Sequence, residues 1–389
     1  MQEITKIHGR HHVTIITPEL EYDFSINSKL SFIIGDSASG KTTLYELVNS
    51  YINSKNLDIE ISSDLTPTLL TKADWDDEKY PDNKLVFIEE GGGFIQTLQF
   101  SEFVKYSNNY FVIIDRTDLK QLAFSYKNIY KISSVNNKYY LVPAYDFDYI
   151  INSNQCFTEV YTEDTNSGKE FFDFVLETGC KSTEGKDNIQ SYILDFKSRK
   201  NEYPLFIMDG CGVGSCIQSI YLEVLESNSS ILLIDSFEYL LLKADLFDGY
   251  KSNLKDIMSN LDEYYLPYCV DNFKPFITDK VYSKKELKQL KRENRSLDRV
   301  PPNIPLYCSL EEFYLKLLSD VSSGSNKLVF PDTDARINTT IHYSKDSINK
   351  FFLLPENIKR ILSILPNDIL RFLTVKQIDP NEDNTSFFS

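Results

Sequence analysis

Short apolar runs alternate with segments of helical spacing over the first 150 residues of the chain. Residues 30–34, 85–88 and 110–114 are apolar runs of strand length. Apolar residues after the first run follow the i, i+3, i+4 spacing of an amphipathic helix, at positions 44, 47, 48, 51 and 52. Apolar strands that alternate with helices are typical of a parallel sheet covered on both faces, so the predicted fold class is α/β.

Weaker patterns complete this first region. Residues 12–17 and 22–26 alternate like half-buried strands. The polar and acidic residues 74–82 predict an exposed loop, and residues 101–106 predict a helix. Two more strands are predicted at residues 126–133 and 138–142.

The same α/β rhythm repeats over residues 155–260. Strands are predicted at residues 157–162, 204–208 and 231–234, and helices around residues 171–176, 185–196 and 217–225. Beyond this region the pattern is mostly helical. The sequence therefore predicts an α/β domain at residues 1–150, a second α/β domain at residues 151–260 and a mainly helical C-terminal region at residues 261–389.

Composition narrows the possible functions. The net charge of −16 argues against a surface coated for non-specific DNA binding, although a local basic groove remains compatible with it. None of the six cysteines forms a C-x-x-C pair and the chain has four histidines, which disfavours a zinc site or a disulfide framework. No apolar stretch is long enough to span a membrane, and the N-terminus lacks an apolar signal core, so we expect a cytoplasmic protein.

The strand at residues 30–34 runs directly into GDSASGKT, which matches the pattern G-x-x-x-x-G-K-[ST] at every position. Its glycines let the backbone turn around a phosphate, while backbone N–H groups and the next helix N-terminus meet the negative charge. Lys41 is expected to reach the β- and γ-phosphates of ATP, and Thr42 to ligate Mg²⁺. The residues predicted to bind the nucleotide here are Gly35, Ser37, Ser39, Gly40, Lys41, Thr42 and Thr43. The alternative is a Gly/Ser turn with a solvated lysine.

Charged residues end the next two predicted strands, at the sheet edge where ligands bind in open α/β folds. Glu89 is predicted to hold Mg²⁺ through water, and Glu90 to orient the attacking water. Arg116 is predicted to contact either the γ-phosphate or a partner. The alternatives are a solvated strand end for the two glutamates and an ordinary ion-paired strand end for Arg116.

These motifs resemble those of the P-loop NTPase superfamily over roughly residues 12–145. The lead-in strands are similar to those of ABC-type ATPases, but no L-S-G-G-Q-like segment follows the phosphate loop. The resemblance implies an ATPase and leaves the subclass, ABC-like or AAA-like, open.

Acids also close the predicted strands of the second region. Because parallel strands end at one sheet edge, Glu163, Asp209 and Glu238 are predicted to share Mg²⁺, which prefers oxygen ligands. Asp164 and Asp235 are further candidates. The alternative is a flavodoxin-like domain whose strand ends happen to be acidic.

The order of these acids resembles the Toprim domain of topoisomerases, primases and related nucleases. The resemblance implies that Glu163 and Asp209 are catalytic, with Cys211 at the position of the second aspartate of the Asp-x-Asp pair. A P-loop module followed by a Toprim-like module is similar to ATP-binding proteins of bacterial mobile elements, which implies anti-phage defence or maintenance of the element.

One basic segment stands out in the third region, with seven basic residues against three acids over residues 282–299. Such a segment would follow a phosphate backbone, or it is a solvated helix with ordinary ion pairs. Its basic residues are Lys284, Lys285, Lys288, Lys291, Arg292, Arg295 and Arg299.

The sequence thus predicts an ATPase that controls a nucleic-acid-directed, Mg²⁺-dependent effector, with a protein partner or a second copy of the chain. One alternative is a nucleotide-switched sensor whose second domain is inactive and binds a protein partner. Another is a P-loop kinase that phosphorylates a small substrate.

Overall fold

The computed structural model describes residues 11–244 with short gaps, and residues 353–377. The gaps are residues 27, 37–38, 55–57, 90–92, 108, 115–121, 123, 166, 236, 238–239, 241–242 and 354. The described residues form two compact units. The first comprises residues 11–146 and 210–215, and the second comprises residues 147–209, 216–244 and 353–377. The predicted domain boundaries stay predictions, since most of the third region lies outside the described residues.

The first unit is built on a nine-stranded mixed sheet in the order β4-β1-β2-β9-β8-β3-β7-β6-β5. Strands β8, β3, β7, β6 and β5 run parallel to one another, while β1 is antiparallel to β2 and β4, and β8 to β9. The strands are β1 His11–Ile16, β2 Glu21–Ile26, β3 Leu30–Ile34, β4 Glu60–Ser63, β5 Pro67–Leu69, β6 Leu85–Glu89, β7 Tyr110–Ile114, β8 Ile129–Val135 and β9 Lys138–Pro143.

Burial follows the patterns that predicted these strands. β1 alternates buried and exposed positions, whereas β3, β6 and β7 are buried along almost their whole length because parallel strands are covered on both faces. The strands predicted at the start and end of this region are therefore confirmed. Two short strands, β4 and β5, were not predicted, since neither has a distinctive apolar pattern.

Helix α1 (Lys41–Asn49) begins directly after the phosphate loop, and the π-helical turn Ser50–Ser54 continues it. Its apolar side seals one face of the sheet, with Leu44 and Val48 fully buried in the same core as Ile33 and Phe87. The loop between β3 and α1 is thus held between two buried elements. Helix α3 (Leu98–Tyr106) confirms the helix predicted at residues 101–106.

The loop predicted at residues 74–82 is partly wrong. Helix α2 (Lys72–Asp76) covers its start, with Thr71 and Asp74 forming a capping box at the helix N-terminus. Trp75 is only 7% exposed and stacks on Phe94 with ring centroids 5.2 Å apart. One buried aromatic residue among acids was enough to order the segment.

The second unit contains a five-stranded sheet in the order β10-β14-β13-β11-β12. Strands β11 to β14 are parallel and β10 is an antiparallel edge strand. The strands are β10 Tyr149–Ile150, β11 Glu159–Thr162, β12 Lys181–Ser182, β13 Pro204–Asp209 and β14 Ser230–Ile234. This unit confirms the strands and helices predicted over residues 155–260.

Helices α4 (Ser167–Val175), α5 (Lys186–Phe196) and α6 (Ile217–Leu225) connect these strands. Two short helices from the C-terminal region, α7 (Pro355–Leu362) and α8 (Asn367–Leu370), belong to the same unit. The chain after α8 is bound by backbone hydrogen bonds, including one of 3.0 Å from the Phe157 N–H to the Phe372 carbonyl. The rest of the helical region predicted at residues 261–389 lies outside the described residues.

None of the helices in the described ranges combines the length and apolar character that a membrane crossing requires.

Candidate functional site

The loop between β3 and α1 begins and ends with glycines in the left-handed region of backbone conformation. Gly35 has a φ of 138° and Gly40 a φ of 95°, values that side chains disfavour and glycine tolerates. Gly40 is the N-cap of α1, and no side chain caps the helix there. The first N–H groups of α1 therefore point into the loop, where a phosphate would meet them.

Lys41 lies inside this loop. The residue is 6% exposed, and its ammonium donates hydrogen bonds to the carbonyls of Gly35 (2.5 Å) and Asp36 (2.8 Å) and to Ser39 Oγ (3.0 Å). Its positive charge is thus fixed where the loop closes around the helix N-terminus. Thr42 and Thr43 follow as exposed residues in the first turn of α1.

Glu89 lies at the same edge of the sheet as the loop. Ile114 of β7 pairs with Ile33 of β3 on one side and with Glu89 of β6 on the other, so Glu89 is level with Ile33 and two strands away. With strands about 4.8 Å apart, the separation is on the order of 10 Å between backbones. A glutamate at this distance suits a water-mediated contact with a cation near Thr42.

Tyr45 shows that Glu89 also adjoins helix α1. Burial raises the pKa of Tyr45, and the negative charges of Glu89 and Asp74 raise it further. The charge of Glu89 thus acts on a residue in the second turn of α1. The sheet edge therefore combines a cation in the loop with a carboxylate beside the helix.

A pair of tyrosines next to the loop was missed by sequence reasoning. Tyr22 of β2 donates a hydrogen bond of 2.8 Å to the Gly40 carbonyl, and its ring stacks on Tyr139 of β9 at 4.7 Å. Nothing in the local sequence signals this contact, because it depends on the order of β2 and β9 in the sheet.

Some predicted site residues fall outside the described residues, as does the basic segment at residues 282–299. They are Ser37, Glu90, Arg116 and Glu238. Their predicted roles stay predictions.

The second unit places three acidic strand ends side by side. β13 lies between β11 and β14, with Thr162 paired with Ile207 and Asp209 paired with Ile234. Glu163 and Asp235, which directly follow their strands, therefore end up at the same edge as Asp209. The predicted convergence of these strand ends is confirmed at the level of the backbone.

The buried thiol of Cys216 is influenced by charged residues of this unit. Burial raises its pKa to about 12, with Lys186 opposing the rise and Glu163 and Asp187 adding to it. The thiol therefore stays protonated at neutral pH. The Gly185 N–H donates a hydrogen bond of 2.8 Å to the Glu163 carbonyl and so holds the start of α5 at this edge.

Asp164 has a different role from the one considered for it. Its two carboxylate oxygens accept hydrogen bonds from the N–H groups of Gly168 (3.0 Å) and Lys169 (3.1 Å), at the start of α4. A carboxylate here satisfies exposed helix amides and favourably meets the helix dipole. Asp164 is therefore a helix cap, and each of its oxygens is already used by one backbone amide.

Cys211 is 1% exposed. The surroundings of position 211 therefore exclude water, and an aspartate there would be costly to ionise. Across the described ranges no group of three His, Cys, Asp or Glu side chains is arranged to hold a metal ion. The predicted set of Glu163, Asp209 and Glu238 includes one residue outside those ranges, so it stays a prediction.

Comparison of the chain with protein-family models, with curated proteins and with solved structures found no match.

Proposed function

We propose that the chain binds ATP with Mg²⁺ at the loop of residues 35–42 and hydrolyses it. The observation that carries this proposal is the Lys41 ammonium held inside a glycine loop at an uncapped helix N-terminus. A buried cation beside an uncapped helix N-terminus is an arrangement suited to a polyanion such as a triphosphate.

Each residue near the loop has a separate role in this proposal. Lys41 would exchange its bonds to the Gly35 and Asp36 carbonyls for phosphate oxygens, and the amides of Thr42 and Thr43 would meet the same anion. Mg²⁺, bound through the Thr42 hydroxyl and through water at Glu89, would neutralise charge on the phosphates.

Hydrolysis also needs an oriented water and stabilisation of the departing phosphate. We assign the first task to Glu90 and the second to Arg116, each of which follows a strand that ends at this edge.

The experiment that tests this function compares ATP with adenosine by calorimetric titration in the presence of Mg²⁺. A site anchored on phosphate predicts binding of ATP and no measurable binding of adenosine. Equal affinities would contradict a phosphate site. Release of inorganic phosphate then separates hydrolysis from binding, and transfer of the γ-phosphoryl group to an acceptor other than water would favour the kinase alternative.

We further propose that the second unit is a Toprim-like, Mg²⁺-dependent effector directed at nucleic acid, under the control of ATP in a cytoplasmic anti-phage system. The support is the meeting of Glu163 and Asp209 at one edge of neighbouring parallel strands. Glu238 would complete a set of oxygen ligands, and a divalent cation would supply an activated water there. The basic segment at residues 282–299 would bind the nucleic acid.

A second candidate function is a nucleotide-switched sensor whose second unit binds a protein partner without catalysis. Two observations favour it: Asp164 is occupied as a helix cap, and a buried Cys211 replaces one carboxylate. Incubation with plasmid DNA and tRNA in Mg²⁺ or Mn²⁺ distinguishes the two candidates. Cleavage that is lost in Glu163→Gln supports the effector, and intact nucleic acid under all conditions supports the sensor.

A further inference from the structure

Tyr22 lies directly behind the second glycine of the phosphate loop. Only 1% of its surface is exposed, and its hydroxyl donates a hydrogen bond of 2.8 Å to the Gly40 carbonyl. This hydrogen bond joins β2 to the N-cap residue of α1.

The orientation of the Gly40 carbonyl determines that of the next amide. This carbonyl also accepts the Leu44 N–H at 2.9 Å, which starts the hydrogen-bond ladder of α1. In a planar trans peptide the C=O and the N–H that follows it point in opposite directions. Holding the carbonyl toward Tyr22 and Leu44 therefore turns the Lys41 N–H toward the phosphate loop.

The stacked tyrosines leave the glycine little room. A Cβ at Gly40 would lie 3.0 Å from the Tyr22 hydroxyl oxygen and 3.4 Å from Cε1 of Tyr139. Burial, and secondarily Tyr139, raises the pKa of Tyr22, so its hydroxyl remains a donor over the physiological range. Glycine by itself has no strong preference between backbone conformations. The neighbouring tyrosines therefore help to fix the conformation of Gly40.

We propose that Tyr22 is a positioning residue of the phosphate site, which holds the Gly40 carbonyl so that the first amides of α1 face a bound triphosphate. This inference rests on the proposed ATP-binding function.

The test uses Tyr22→Phe in the full chain, which keeps the buried ring and its stacking but removes the hydroxyl. We expect the KM for ATP to rise about tenfold, the size of one lost buried hydrogen bond, with kcat changed less than about twofold. The matched control is Tyr149→Phe, which loses a hydrogen bond of the same length, 2.8 Å, to Asp368 in the second unit. Its KM should equal that of the parent.

Amide hydrogen exchange in nucleotide-free protein gives a readout that does not need ATP. Tyr22→Phe should speed exchange at residues 41–44 about tenfold, and Tyr149→Phe should leave it unchanged. If the parent fails to bind ATP, the proposed function is wrong, and the exchange data alone then decide whether Tyr22 orders the loop. Parent-like exchange and parent-like KM in Tyr22→Phe would overturn the positioning role even in a protein that binds ATP.

Discussion

In both units, parallel strands end at a polar edge of the sheet. The polar groups at that edge belong mainly to the backbone in the first unit and to side chains in the second. The first unit uses backbone: Gly35 and Gly40 shape a loop, and Lys41 is held on the loop's own carbonyls. The second unit uses side chains, with Glu163 and Asp209 projecting from different strands. A site made of backbone is complete within eight consecutive residues, whereas a site made of carboxylates depends on strands brought together by folding.

The difference extends to how each edge can fail. Under the proposed function a single lysine of the first unit meets the phosphates, so one substitution should remove binding. In the metal site proposed for the second unit the acids would repel one another until a cation is bound, and each can take another role. Asp164 is an example, since both its oxygens accept hydrogen bonds from amides at the start of α4.

The largest expected effect is on the backbone-built site. Lys41→Ala should weaken ATP binding at least ~100-fold, because charge-assisted hydrogen bonds to phosphate are lost from a buried position. The fold should persist, as judged by circular dichroism. Lys131→Ala is the control, since Lys131 is exposed on β8. Normal ATP affinity in Lys41→Ala would remove the phosphate site from this loop.

The next effect separates hydrolysis from binding at the same edge. Glu90→Gln should slow ATP turnover about 100-fold, a typical contribution of a general base, while ATP affinity stays near that of the parent. Glu89→Gln should instead reduce the affinity for Mg²⁺-ATP. Equal turnover in Glu90→Gln and the parent would move the water-orienting role to Glu89 or Asp115.

A smaller effect is expected at the sheet edge of the second unit where Glu163 and Asp209 lie. In a Lys41→Ala background, which weakens nucleotide-linked metal binding, Mn²⁺ should raise the Tm. At a concentration ~100 times the Kd the stabilisation would be about 2.7 kcal/mol. Asp209→Ala should abolish this shift and slightly raise metal-free stability, since one repelling charge is gone. A loss of stability in Asp209→Ala with no metal shift in its parent would make Asp209 structural.

The smallest effect is expected at Asp164, the carboxylate that caps α4. Asp164→Ala should lower the free energy of unfolding by about 1 kcal/mol, the usual value of a helix cap, and should keep the Mn²⁺ shift. Asp195→Ala, at an exposed position of α5, serves as the control in denaturant titrations. Disappearance of the metal shift in Asp164→Ala would show that this carboxylate serves a cation instead.

Sequence reasoning succeeded where the relevant contacts are local. The phosphate loop, its strand and its helix are adjacent in the chain, so their pattern predicted β3 and α1 before any tertiary contact was known. The α/β alternation predicted the parallel strands of both units because strands buried on both faces need unbroken apolar runs. Helix α2 escaped prediction because Trp75, alone among acids, orders it through packing.

Residue types and their spacing thus determined the α/β class, the position of the glycine loop between β3 and α1 and the placement of acids at strand ends. Tertiary structure alone decided strand order, and with it the tyrosine behind Gly40, the level of Glu89 and the neighbours of Asp209. It also decided that Asp164 caps α4. The physical reason is that a backbone turn is specified by the residues that make it, whereas side-chain neighbours are set by which distant strands pair.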